Sequence, residues 1–195
     1  MFYHASNINN LMTLKPHMSM HGKSMVYFSN KRENVLVYLS NAVEKYIREK
    51  YNRSLNNYKK WATYGFTKDG RIRLEEYYPN ALEETYKGVK GYIYEVNTLD
   101  LPSTITNINN VFTIDHNVDV SGVEVIDDAY LEIVKAENQG LIEIERFENL
   151  SDKKREIIEN MILSEYVNTE NQDYKEFLYE KFVYMRQLFE EIKTH

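Results

Sequence analysis

The chain reads as an α+β protein with a mostly antiparallel sheet and a C-terminal helical hairpin, and three observations lead there. Short runs of β-branched and aromatic residues, separated by turn residues, fill the first two-thirds of its 195 residues. One helical pattern is inserted early, and after Ser151 apolar residues recur only at helical spacing. Strands first and helices last is the α+β order. Residues 1–150 are expected to form the α+β domain, and residues 151–195 a helical extension packed on it.

Val26, Tyr27 and Phe28 read as a strand, with Ser29 and Asn30 as a cap. A helix from about Lys31 to Tyr51 follows, carrying Val35, Leu39, Ala42, Val43, Tyr46 and Ile47 on its packed face and Glu44, Lys45, Arg48 and Glu49 toward water. Asp69-Gly70 predicts a hairpin turn between ATYGFT and RIRLEEYY. Pro79-Asn80 opens a short helix with Glu83 as its capping-box partner, and Gly88 closes it. GYIYEV, NVFTI and SGVEVI are strands, the last running into a helix at Asp127 to Glu137, and GLIEIERF is one more strand. Two helices complete the chain, one with Ile157, Ile158, Met161 and Ile162, the other from Phe177 to Ile192. The polar break at residues 168–173 makes them a hairpin that folds back on the sheet.

The 43% hydrophobic fraction supports a buried core, and the absence of cysteine removes thiolate chemistry, disulfides and Cys-based metal sites. A net charge of -6 opposes binding to phosphate backbones, so nucleic acid is not an expected partner, although Lys59, Lys60, Lys68, Arg71 and Arg73 gather in sequence. MFYHASNINN has neither the basic stretch nor the apolar run of a signal peptide, and no apolar run has membrane-spanning length. A cytoplasmic protein is expected. His17 and His21 have a ligand-like spacing, but Pro16 and Gly22 interrupt a helix there and no third ligand is evident, so no metal is expected. Neither a glycine-rich phosphate loop nor a nucleophile elbow is present.

Tyr27 and Tyr38 flank the strand-to-helix junction with ten residues between them, His4 precedes them in YHAS, and Glu124 follows in SGVEVIDDAY. This set, in this order, resembles the His, Tyr-x10-Tyr and Glu elements of the diphtheria-toxin and poly(ADP-ribose)-polymerase class of ADP-ribosyltransferases, over roughly the first two-thirds of the chain. The resemblance implies a split sheet and an NAD co-substrate. His4 would contact the ribose, the backbone of Ala5 the carboxamide, Tyr27 and Tyr38 would sandwich the nicotinamide, and Glu124 would be catalytic. The residue types suit the chemistry: breaking the nicotinamide–ribose bond builds positive charge on the sugar, which a carboxylate stabilises, while aromatic faces bind the flat ring.

Two positions depart from the family. Ala5 stands where it has glycine, and Gly122 removes the acidic or amide residue that marks arginine- and asparagine-modifying relatives. The acceptor, such as a protein, is therefore unspecified. Glu143 and Glu145 alternate on another strand as rivals of Glu124. Transfer of ADP-ribose from NAD is the first expectation. The alternative is a catalytically inactive descendant of the fold that binds a protein through its aromatic surface or helical hairpin. An NAD-dependent RNA-phosphate transferase ranks last, given the acidic charge. The stripe from Phe177 to Ile192 is core or a dimer seam, so a homodimer through the C-terminal helices is a further expectation.

Overall fold

The structure is a computed structural model and describes residues 1–18, 22–52, 64–99, 104–105 and 108–193. Strands run in chain order as β1 (Phe2–Ser6), β2 (Thr13–Leu14), β3 (His17–Met18), β4 (Ser24–Ser29), β5 (Tyr64–Phe66), β6 (Ile72–Glu75), β7 (Gly91–Val96), β8 (Thr104–Ile105), β9 (Val111–Ile114), β10 (Val118–Asp119), β11 (Gly122–Ile126) and β12 (Glu143–Glu145). The α-helices are α1 (Ala42–Tyr51), α2 (Ala81–Tyr86), α3 (Ala129–Asn138), α4 (Asp152–Asn168), α5 (Gln172–Lys181) and α6 (Arg186–Lys193). The main sheet has the order β11-β7-β1-β4-β9-β8, with β3 beside β4; β12-β6-β5 form a second sheet and β10-β2 a ribbon. Every pair in the main sheet is antiparallel. The protein is α+β, with mostly antiparallel sheets and a C-terminal helical region.

The residues group into two compact units. One comprises residues 1–40, 64–74 and 86–144, the other residues 41–63, 75–85 and 145–195. The C-terminal helices share a unit with α1 and most of α2.

In the first unit, one face of the main sheet carries a core of Leu14, Val26, Phe28, Tyr94, Val96, Ile114 and Val118. The other face is covered by a 3-10 helix at Arg32–Leu39, packed on β1, β4 and β7, and by α3, packed on that 3-10 helix. Val35, Leu36, Val37 and Leu39 are all buried, which is why this stretch departs from the expected amphipathic α-helix: four apolar side chains within five positions need burial on more than one side. Gly91 lies where Leu39 crosses the sheet, and an added Cβ there would collide with the leucine side chain. Asn34 is buried and fastens the second sheet's hairpin: its amide donates to the Gly70 carbonyl at 3.1 Å, and its oxygen accepts from the Ile72 N–H at 3.2 Å. Gly70 takes φ +76°, as the Asp-Gly pair predicts.

The expected helix at residues 31–51 is thus two elements. Ser40 and Asn41 are extended, and the Asn41 side chain accepts from the N–H groups of Val43 and Glu44 to start α1. In the second unit, Val43 and Ile47 of α1 pack with Tyr78, Ala81, Ile158, Ile162, Phe177, Leu178, Phe182, Met185 and Phe189. Tyr166 stacks on Phe189 with ring centroids 4.2 Å apart. The second C-terminal helix is broken at Phe182 (φ -93°, ψ 59°), giving α5, a 3-10 turn and α6. The α2 helix lies where predicted, but the carboxylate serving its first turn is the buried Glu76, which accepts from the Leu82 N–H at 3.0 Å. Left-handed turns fall to Asn10, Asn52, Asn80 and Asn110 as well as to glycine.

Candidate functional site

Register decides which of the expected site residues can meet. Ala5 pairs with Ile93, Ile93 with Glu124, and Tyr3 with Ser29, so that Tyr27 lies opposite Ala5. Cross-strand partners share a face, and successive residues alternate. Glu124, Ile93, Ala5 and Tyr27 therefore form one row on the face under the 3-10 helix. His4, paired with Tyr94, points to the opposite face.

This corrects the expectation of one shared cleft for His4 and Glu124. His4 Nδ1 lies 2.9 Å from the Tyr27 carbonyl oxygen, and the ring is 5.9 Å from that of Phe28. Burial holds the imidazole pKa below its ordinary 6.5; the contact with the Tyr27 carbonyl opposes that shift and nearby His17 adds to it. Nor does the row hold an open groove. Three strand spacings, roughly 14 Å of backbone, separate Tyr27 from Glu124, and between them Ile93 is 0% and Ala5 7% exposed. The methyl of Ala5 faces packed protein.

The Glu124 carboxylate is engaged. Arg32, at the start of the 3-10 helix, donates from Nε to one oxygen at 2.9 Å and from Nη2 to the other at 2.5 Å, and Nη2 also meets Glu132 of α3 at 2.9 Å. This is a fork-on-fork ion pair, and the bonds to Glu124 above all raise the guanidinium pKa. The rivals Glu143 and Glu145 are also in ion pairs, with Arg71 at 2.7 Å and with Lys154 respectively.

Of the two expected stacking residues, Tyr27 lies on β4 and Tyr38 on the 3-10 helix packed on that strand. Burial raises the pKa of the Tyr38 hydroxyl, and the hydroxyls of Tyr64, Tyr27 and Tyr86 raise it further. The Tyr38 and Tyr64 rings meet edge to face at 5.9 Å, and Tyr64 meets Phe66 the same way at 6.3 Å. Tyr38 remains 37% exposed, so its hydroxyl end is sunk among other tyrosines while one side of the ring reaches solvent. Tyr86 is buried and donates to the Val37 carbonyl at 3.0 Å. Arg32, Tyr64 and Tyr86 were not legible as partners in the sequence, being separated from Glu124 or Tyr38 by long stretches of chain.

Among the described residues, no group of three or more His, Asp or Glu side chains is arranged to hold a metal, and no helix is long and apolar enough to cross a membrane. His17 is exposed on β3, while His21 lies outside the described residues. Of the basic residues, Arg71 is held by Asp69 and Glu143, and Lys59 and Lys60 lie outside the described residues. No family model, curated protein or solved structure matches the chain.

Proposed function

We propose that this chain is a protein-interaction module whose ADP-ribosyltransferase-like residues are set for structure rather than for transfer. One observation carries the reading: Glu124 and His4 lie on opposite faces of the sheet, so a single ribose does not reach both. The Arg32 fork on Glu124 supports it, since a carboxylate neutralised in this way is a weaker stabiliser of positive charge on a sugar. The half-exposed Tyr38 ring, backed by Tyr64 and Phe66, offers the kind of rigid aromatic surface that protein contacts favour.

Titration calorimetry with NAD at millimolar concentration tests this reading, and the expected result is no saturable heat. Saturable binding that is lost in Tyr38→Ala would overturn it. A second reading, NAD-dependent ADP-ribose transfer, draws on the shared face of Tyr27, Ala5 and Glu124 and on the packing of the 3-10 helix that carries Tyr38 against the strand of Tyr27. It requires labelled NAD to modify an acceptor with the wild-type chain and not with Glu124→Gln.

A further inference from the structure

The second unit contains a cavity of about 240 Å³ lined by Ala42, Lys45, Tyr46, Glu49, Tyr78, Glu84, Thr85 and Lys181. Three separate segments build it: α1 gives Lys45 and Tyr46, the turn into α2 gives Tyr78, and the end of α5 gives Lys181. Its charged side chains differ in exposure. The Lys45 and Lys181 side chains are 12% and 26% exposed, whereas their carboxylate neighbours Glu49 and Glu84 are 64% and 44% exposed. Lys181 Nζ is 2.8 Å from Glu84 and 5.7 Å from the centre of the Tyr46 ring; Lys45 Nζ is 4.0 Å from Glu49. The lysine side chains are therefore more enclosed by the protein than the carboxylate side chains they face.

We infer that this cavity binds a small organic anion, with its charged head between Lys45 and Lys181 and its body against the rings of Tyr46 and Tyr78. Glu49 and Glu84 are the more exposed partners of these pairs, and such ion pairs are weak, so an entering anion exchanges one partner for another while Glu49 and Glu84 regain water. The volume exceeds what an inorganic ion fills and suits a ring or sugar. A phosphate or a carboxylate head satisfies the same two ammonium groups, and the probes below separate head from body.

The experiment is titration calorimetry on the full chain at constant ionic strength with inorganic phosphate, phenyl phosphate and benzoate. Phenyl phosphate is expected to bind saturably and more tightly than inorganic phosphate, because its ring occupies the tyrosine-lined part. Benzoate binding at equal or higher affinity assigns the head as a carboxylate instead. Lys45→Gln and Lys181→Gln should each weaken binding roughly tenfold, the worth of one charged hydrogen bond. Glu84→Gln should tighten it by freeing Lys181, a gain that a merely damaged fold does not produce. The inference is overturned by no saturable heat with any probe, by binding unchanged in both lysine variants, or by weaker binding in Glu84→Gln. It concerns residues that the proposed function does not use, so either stands without the other.

Discussion

Asn34 shows how much one buried polar side chain holds. Its amide serves a carbonyl and an N–H of the β5–β6 hairpin; Asn34→Ala leaves the Ile72 N–H without that partner in a dry setting, while the Gly70 carbonyl keeps the Asn110 amide at 3.3 Å. A loss of about 1–3 kcal/mol is expected in urea unfolding, chiefly from the buried donor left unmade. His4 gives a pH signature. Its folded pKa is depressed, so its contribution to stability is fully present above the unfolded value of 6.5 and is lost as pH falls from there through the folded pKa. The urea midpoint of the wild type should therefore fall between pH 7.5 and 5.5 more than that of His4→Gln; equal slopes would show that His4 is not the group responsible.

At the level of elements, the strands were legible because alternation and β-branched runs survive without tertiary knowledge. GYIYEV and SGVEVI fall within one residue of β7 and β11. The break in the early helix left a weaker trace. A continuous 3.6-residue pattern spans residues 35–47, and only Ser40-Asn41 hints that a new helix begins there, because Asn is a strong N-cap. Asn41→Ala should cost about 1 kcal/mol and lower the helical circular dichroism signal. The site was half legible for a different reason. Motif spacing set Tyr27 and Tyr38 on neighbouring elements, but the parity of a strand's register sends each side chain to one face or the other. A shift of one residue reverses it, so His4 and Glu124 parted where sequence had no means of placing them together.

Across the whole molecule, each of the two units has a hydrophobic cluster of its own, and no residue belongs to both. Ile114→Val in one and Ile162→Val in the other should each cost about 1 kcal/mol, and the double variant should equal their sum within about 0.5 kcal/mol. A larger coupling energy would mean that the clusters respond as one. The chain has only seven glycines and gives left-handed turns to Asn10, Asn52, Asn80 and Asn110. Asparagine tolerates that backbone better than other side chains, yet still pays a steric cost that glycine does not. These turns are therefore a reserve of untapped thermal stability. Asn80→Gly should raise the melting temperature by a degree or more, roughly a few tenths of a kcal/mol. Asn110→Gly should gain less, because the Asn110 amide donates to the Gly70 carbonyl at 3.3 Å. A protein sparing in glycine has kept its unfolded chain stiffer, and its turns can be relaxed one at a time without touching either core.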